Sequence, residues 1–147
     1  MSKVDVQVGA LCLRPRGKKD FSVLLVTSRD TGRWVIPKGW PHKKAKLHNS
    51  AEREAFEEAG VQGTVGQKSI GDYVYNKRER TGTRRLAVTV FPLLVRKQCN
   101  SWPEKKERVR KWFPVSSAAT KVDERELRDL MRGLWKSVKK GKSPLNF

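Results

Sequence analysis

Hydrophobic and polar residues follow strand-like spacing over the first part of the chain. Residues 4–13 predict a strand with partial alternation, and residues 21–27 predict a second, more buried strand, because short apolar runs bounded by turn residues are typical of strands. A third strand over 33–36 is expected to end at Pro37, since proline cannot donate a backbone hydrogen bond. The ten residues that start at Pro37, PKGWPHKKAK, predict a long loop.

The spacing changes to that of a helix between Leu47 and Ala59. Small or apolar residues recur there every three or four positions, which is the pattern of a helix with one buried face. Gly60 is placed to end this helix in the left-handed conformation that glycine adopts readily. Two starts remain open for this helix. It begins either at Leu47 or after Asn49, which would form a capping pair with Glu52.

The next part of the chain predicts more strands and a basic hairpin. The strands are expected around Gly66 and Gly71, over 86–95 and over 109–115, with a polar loop over 97–108. Pro92 predicts a bulge or an edge position in the strongest of these strands. Residues 77–84, KRERTGTR, predict a basic hairpin loop with Thr81-Gly82 at its tip.

Two helices are expected near the end of the chain. Ser116 or Ser117 is interpreted as the cap of a short helix, and Asp123 as the start of an amphipathic one. The apolar stripe of the latter, from Leu127 to Val138, is interpreted as core packing. The order of all elements predicts an α+β fold with helices packed on a mixed sheet, in a single domain over residues 1–147.

Charge adds a preference for anionic partners. The 147 residues include 33 Lys or Arg against 15 Asp or Glu, a formal charge of +18. Such a field attracts polyanions, so nucleic acid, anionic lipid and phosphate-rich small molecules are all candidates, whereas any single basic cluster also fits a solvated surface.

Three features of the sequence argue against secretion and membrane insertion. No apolar run approaches the roughly 20 residues of a membrane span, and the N-terminus lacks the apolar core of a signal peptide. Cys12 and Cys99 show no metal-binding spacing and are expected to be reduced, with Cys12 in the core. We therefore expect a cytoplasmic location and no membrane partner.

Three carboxylates share one face of the predicted helix. Glu54, Glu57 and Glu58 stand at i, i+3 and i+4, where like charges repel. Glu57 and Glu58 also lie in the last turn, where the helix dipole disfavours negative charge. A hard divalent cation such as Mg²⁺ would relieve both conflicts, because it prefers oxygen ligands. The alternative is an acidic solvated face.

The surrounding sequence favours the metal. Gly39 lies 14 residues before Arg53, and Arg53 opens the run REAFEEAGV. This arrangement resembles the Nudix box, which has a glycine, five residues, a glutamate, seven residues, and then Arg-Glu-apolar-any-Glu-Glu-any-Gly-apolar. The resemblance implies the Nudix α/β/α sandwich, with a mixed central sheet, this helix on one face and a C-terminal helix. It also implies Mg²⁺- or Mn²⁺-dependent hydrolysis of a nucleoside diphosphate linked to another group.

The resemblance also assigns roles by position. Glu54, Glu57 and Glu58 would be the catalytic, metal-binding carboxylates, one of which deprotonates water, and the Gly39 carbonyl would join the metal shell. Arg53 would pair with a glutamate and hold the helix face.

One position departs from the pattern, because the early glutamate of the box is Ala45 here. A weaker metal site is expected from this change, not a dead enzyme. Glu104 or Glu107, before the last strand, is a candidate for an additional carboxylate, with surface charge as the alternative.

Segments outside the box are similar to one branch of the family. Residues 33–39, 61–66 and 110–113 resemble the diphosphoinositol polyphosphate and diadenosine polyphosphate phosphohydrolases, a similarity that covers roughly residues 5–135. The substrate-binding residues that this implies are Thr27, Ser28, Arg29, Lys38, Arg78, Arg84 and Arg85. Val6-Gln7-Val8 stands where eukaryotic members carry a basic run, which weakens the expectation of inositol pyrophosphate specificity.

Tryptophans are the candidates for base stacking. Trp40 and Trp102 lie in predicted loops and could each stack a base, although anchoring of the loop is an equal reading for Trp102. Trp34 and Trp112 are expected in the core.

The expected function is therefore a metal-dependent pyrophosphohydrolase that cleaves a phosphoanhydride bond in a highly phosphorylated small molecule. One alternative is removal of pyrophosphate from RNA 5′ ends. The other is a non-catalytic RNA- or polyphosphate-binding module, which Ala45 favours and the three retained carboxylates oppose.

Overall fold

The computed structural model describes residues 4–145 and places its strands in one sheet. The strands are β1 Asp5–Pro15, β2 Phe21–Thr27, β3 Trp34–Val35, β4 Lys38–Gly39, β5 Val61–Val65, β6 Gly71–Glu79, β7 Gly82–Gln98 and β8 Arg110–Pro114. The helices are α1 Leu47–Ala59, α2 Val115–Lys121 and α3 Arg125–Lys139. A single domain over residues 1–147 stays a prediction, and residues 1–3 and 146–147 lie outside the described part.

The sheet is mixed, as predicted. Strands β1 and β7 run parallel at its centre, and the other pairings are antiparallel. The order is β3-β2-β1-β7-β5, with β4 also on β1, β6 on β7 and β8 on β2. Strand β4 meets β1 through Val8 and Gly9, which places Gly39 near the middle of the sheet.

Each face of the sheet buries its own apolar cluster. Helix α1 packs through Ala51, Ala55 and Ala59 on one face. Helices α2 and α3 cover the other face, and residues of α3 that include Leu127 and Met131 are fully buried there. The predicted α+β sandwich is thereby confirmed, as is the apolar stripe of the last helix.

The cysteines agree with the sequence prediction. Cys12 is fully buried in the cluster beneath α1, and both cysteines are free thiols. Burial raises the pKa of the Cys12 thiol to about 12, so this group stays protonated near neutral pH.

Helix α1 ends where predicted, and of the two starts left open the structure has Leu47. Gly60 ends it with φ of 66°, the left-handed value expected of a glycine cap. The helix starts at Leu47 after Lys46, without a side-chain cap, so Asn49 lies inside the first turn. The N–H of His42 donates to Ser50 Oγ at 2.9 Å and ties the preceding loop to that turn.

Three details near the sheet differ from the predictions. The expected loop after Pro37 contains strand β4, because pairing with β1 satisfies its backbone groups. Strands β6 and β7 extend into the predicted hairpin loop, which moves its tip to Arg80-Thr81. Pro92 lies in a central strand with no bulge, where the partner of β7 changes from β6 to β5 and no N–H is required.

The last two helices also start elsewhere. Helix α2 begins at Val115 after Pro114, so neither Ser116 nor Ser117 caps it, and α3 begins at Arg125 after Glu124. No described helix is both long and apolar enough to cross a membrane. The cytoplasmic location stays a prediction.

Candidate active site

Residues of helix α1 and strand β4 line a polar cleft. The cleft has a volume of about 360 Å³ and is lined by Gly39, Glu54 and Glu58 among others. Glu54 and Glu58 are 8% and 7% exposed. Glu57 is not among the lining residues, and its carboxylate lies 3.2 Å from Arg53 Nε, the pairing expected of Arg53.

Gly39 sits where a side chain does not fit. A Cβ on this residue would overlap the Glu54 carboxylate, so any other side chain here would force the Glu54 side chain to move. The backbone N–H of Lys38 donates to Glu58 Oε1 at 3.3 Å. The two buried carboxylates are therefore held against the backbone of β4.

Both buried carboxylates resist ionisation. Burial raises the pKa of Glu54 to about 7, and the nearby Glu57 charge adds to this. Burial also raises the pKa of Glu58 to about 7, although Arg108 and Lys38 oppose that shift. The pKa of Lys38 is lowered, chiefly by burial. When Glu54 and Glu58 are ionised, the cations of the protein therefore offset their negative charge only in part.

Arg108 is the buried cation that holds Glu58. Its Nη2 lies 3.3 Å from Glu58 Oε2, and its Nε donates to Glu104 Oε1 at 2.9 Å. Its Nη1 donates to the Thr27 carbonyl at 2.9 Å. This residue was not predicted, because nothing local separates it from the other basic residues of its segment.

Residues 99–110 also bond the end of helix α1. The bonds to its last carbonyls are Glu104 N–H to Glu57 (3.0 Å), Trp102 Nε1 to Glu58 (3.2 Å), Arg110 Nη1 to Ala59 (2.9 Å) and Gly60 (3.2 Å), and Cys99 N–H to Gly60 (2.8 Å). The Arg110 guanidinium places positive charge at this negative helix end. The fold therefore offsets the unfavourable position of Glu57 and Glu58 near the negative end of the helix dipole.

Glu104 and Glu107 have different surroundings. Glu104 lines the cleft and pairs with Arg108, whereas Glu107 is more exposed and accepts a bond from Arg29 at 3.3 Å. Of these two candidates for an additional carboxylate, the structure brings Glu104 to the site.

The donor set suits a hard divalent cation. Glu54 and Glu58 are buried oxygen donors one helical turn apart, and the buried His42 Nε2 has no hydrogen-bond partner among the described residues, 3.5 Å from Glu54 Oε2. Within residues 4–145, however, no three His, Cys, Asp or Glu side chains are gathered as a ready-made metal cluster. Glu57 and Glu58 are paired with arginines as they stand.

The predicted substrate residues divide into two groups. Ser28, Arg29, Lys38 and Arg78 line the cleft. Thr27 does not, because its hydroxyl accepts the Val109 N–H at 2.9 Å and joins two chain segments.

Arg84 and Arg85 lie outside the residues that line the cleft. Arg84 Nε donates to Asp5 at 2.7 Å, and its guanidinium lies 4.7 Å from the centre of the Trp40 ring. Arg85 is exposed.

Several neutral and basic lining residues were not predicted. They include Gln7, Arg33, Tyr75 and Asn76. Gln7 is 5% exposed and accepts a hydrogen bond from Tyr75 Oη at 2.7 Å. Gln7 could have been identified from the sequence, because it is a polar residue within the apolar strand β1.

The tryptophans also differ in where they lie relative to the cleft. The Trp102 ring packs against Gly60 and lies 4.0 Å from the Arg110 guanidinium, so its role is anchoring. Trp34 packs on Phe113, and Trp112 packs partly buried beside the α1 cluster. Trp40 lines the cleft and is 46% exposed.

Comparison with known proteins identifies the family. The NUDIX domain model matches residues 3–134. The chain belongs to the Nudix family. Nudix hydrolase 21, chloroplastic, of Arabidopsis thaliana is 34% identical over 106 residues, which are 71% of this chain and 52% of the relative. Diphosphoinositol polyphosphate phosphohydrolase 3-beta of Bos taurus is 34% identical over 112 residues, 74% of this chain and 65% of the relative.

This Nudix chain thus spans about half to two-thirds of the length of these relatives. Among solved structures, a C. elegans Ap4A hydrolase binary complex aligns with a TM-score of 0.67 at 20% identity, over 95% of this chain and 100% of that one. At this identity the likeness shows the fold alone.

Proposed function

We propose that this chain is a divalent-metal-dependent pyrophosphohydrolase. Its substrate would be a highly phosphorylated small molecule of the diadenosine polyphosphate or diphosphoinositol polyphosphate type. The observation that carries the proposal is the pair of buried carboxylates, Glu54 and Glu58, in a cleft whose walls carry arginine and lysine. Membership of a family with hydrolase relatives supports the reaction class.

Glu54, Glu57, Glu58 and the Gly39 carbonyl would hold Mg²⁺ or Mn²⁺. When bound, such an ion neutralises phosphate charge and lowers the pKa of bound water. The raised pKa values of Glu54 and Glu58 support this assignment, because a dication stabilises the ionised carboxylates that the buried site disfavours.

The remaining lining residues would bind and orient the substrate. Arg29 and Arg78 offer planar guanidinium groups that bond two phosphate oxygens at once, and Lys38 adds a buried ammonium group. Arg108 also lines the cleft, and its contact with Glu58 would position that carboxylate. One of the three glutamates would also deprotonate water.

The effect of Ala45 stays a prediction. This residue is exposed in the loop before α1, and its N–H donates to the His42 carbonyl at 3.2 Å. A glutamate is absent there, so the metal shell lacks one source of support. A metal affinity weaker than in relatives that keep the glutamate is therefore expected.

A second candidate function is pyrophosphate removal from RNA 5′ ends. The basic hairpin of β6 and β7 favours it, because Lys77 and Arg78 line the cleft and could guide a phosphate backbone towards it. Binding of RNA by this route should weaken steeply with salt.

The test is product formation from a substrate panel with Mg²⁺ or Mn²⁺, in which released nucleotides, phosphate and pyrophosphate are all measured. The panel holds diadenosine polyphosphates, diphosphoinositol polyphosphates, nucleoside triphosphates and 5′-triphosphorylated RNA. Glu57→Gln should lower turnover by about 10²-fold or more, as loss of a metal-holding or proton-accepting group does. Glu52→Gln, on the same helix but not one of the three glutamates assigned to the metal, should not change it.

Each result of the panel has one reading. A clear preference for 5′-triphosphorylated RNA would favour the second candidate. Absence of turnover on every member, with either metal, would contradict the enzyme and favour a polyanion-binding module.

A further inference from the structure

Trp40 presents an aromatic ring at a cleft that is otherwise polar. The ring is 46% exposed although the residue lines the cleft beside Gly39. Its backbone follows directly after β4, which is paired with β1, and Pro41 comes next. A single exposed apolar residue is ordinary on a protein surface, so the contacts that fix this ring are what matter.

One side of the ring is occupied by a cation that is itself held in place. The guanidinium of Arg84 lies 4.7 Å from the ring centre. The carboxylates of Asp5 and Glu79 lie 2.7 Å and 3.9 Å from Arg84 Nε. Stacking of this kind favours one orientation of the indole, and the carboxylates reduce the charge that Arg84 offers to a phosphate.

The other tryptophans do not share this combination. Trp102 is packed between Gly60 and Arg110 and bonds the Glu58 carbonyl. Trp112 lies 4.3 Å from the Arg14 guanidinium, but it is outside the cleft. Trp40 alone combines an arginine on one side, partial exposure and a place in the cleft wall.

The cleft also joins phosphate-binding groups to neutral ones. Arg29, Lys38 and Arg78 line it, as do the amides of Gln7 and Asn76. A ligand that is phosphorylated all round would be served best by cations on every side. A nucleotide needs cations for its phosphates, a flat apolar surface for its base, and neutral donors and acceptors for the base edge.

We propose that Trp40, held by Arg84 and Asp5, is the surface on which the nucleobase of the substrate stacks, so that the chain prefers dinucleoside polyphosphates to diphosphoinositol polyphosphates. This inference rests on the proposed function for the identity of its site, and it narrows the substrate class.

Direct binding tests the proposal separately from turnover. Dissociation constants for diadenosine tetraphosphate and inorganic tetrapolyphosphate are measured by calorimetry with Mg²⁺ in the Glu57→Gln background, with the ligands checked for integrity afterwards. Adding Trp40→Ala should weaken dinucleotide binding by about 5- to 150-fold, the usual range for one lost base–aromatic stack. Binding of inorganic tetrapolyphosphate should not change, and Trp40→Phe should retain most of the dinucleotide affinity.

The control is Trp112→Ala, which removes an arginine-stacked tryptophan outside the cleft and should leave both affinities unaltered. Thermal unfolding of each variant confirms folding. Equal losses for both ligands after Trp40→Ala would overturn the proposal, as would no loss for the dinucleotide. Tighter binding of a diphosphoinositol polyphosphate than of the dinucleotide by the parent protein would also overturn it.

Failure of the two proposals can be told apart. Nucleotide binding that depends on Trp40, in a wild-type chain that turns over no substrate, would reject the hydrolase and support the stacking surface. Full turnover together with a dinucleotide affinity that Trp40→Ala leaves unchanged would reject the stacking surface and keep the hydrolase.

Discussion

Arg110 should stabilise the fold far more than an ordinary surface arginine does. Its guanidinium donates to the carbonyls of Ala59, Gly60 and Cys99 at 2.9–3.2 Å and lies 4.0 Å from the centre of the Trp102 ring. Arg110→Met keeps a long apolar side chain against Trp102, but it leaves these carbonyls without their charged donor. The change therefore isolates the hydrogen bonds and the charge from the packing.

The expected loss follows from these contacts. A hydrogen bond to a charged group contributes about 1.5–3 kcal/mol when buried, and a cation at a helix C-terminus about 0.3–1 kcal/mol. Because Arg110 is partly exposed, water replaces some of the lost bonds, and we expect a total loss of about 2–4 kcal/mol. For a chain of this size, that loss lowers Tm by about 4–16 °C.

Urea unfolding measures the loss as a lower midpoint at an unchanged m-value. Arg110→Lys, which keeps the charge but not the planar fork, should recover only part of it. Arg14→Met is the matched control, because Arg14 stacks on Trp112 at 4.3 Å but is exposed, and it should cost less than about 1 kcal/mol. If Arg110→Met and Arg14→Met had equal effects, the capping argument would be refuted.

Two further predictions concern the cleft. The pKa of Glu58 is about 7 in the folded chain against an ordinary 4.5, so the folded state holds a proton that the unfolded state has lost. Without metal, the free energy of unfolding should therefore fall by about 1–3 kcal/mol as pH rises from 4.5 through 7, and urea unfolding of Glu58→Gln should lack this part of the slope. Gly39→Ala should lower Mn²⁺ affinity in calorimetry by about tenfold or more, because its Cβ overlaps the Glu54 carboxylate. Gly133→Ala, in an open position of α3, should leave that affinity unchanged, and an equal loss in both variants would contradict the argument.

Local signals in the sequence were sufficient for the main elements. The bounds of β2 and the end of α1 agree with the predicted ones, because these segments have clear periodicity and definite ends. Gly60 adopts the left-handed conformation that its position indicated. Long-range pairing decided the elements that were missed. Strand β4 is two residues long, and it forms because β1 lies beside it.

The candidate site likewise combines residues that local spacing predicted with residues that only the tertiary fold brings to it. Spacing along one helix predicted that Glu54, Glu57 and Glu58 share a face, and the structure places Glu54 and Glu58, but not Glu57, among the residues that line the cleft. Arg108 and Arg110 come from a segment about 50 residues later, and no pattern in the sequence connects them with α1. Their roles depend on where residues 99–110 fold back, which is a tertiary property.

Arg108 and Arg110 make different contacts at the end of α1, and this difference affects metal binding. Arg110 bonds backbone carbonyls and so stabilises the helix end without touching a carboxylate. Arg108 pairs with Glu58 and Glu104, and a bound cation would have to share Glu58 with it. Within residues 4–145, Glu54 has no arginine partner among its ion pairs, only the His42 nitrogen at 3.5 Å. Glu54 is therefore the buried carboxylate that most needs a cation, and it is also the one that Gly39 leaves room for.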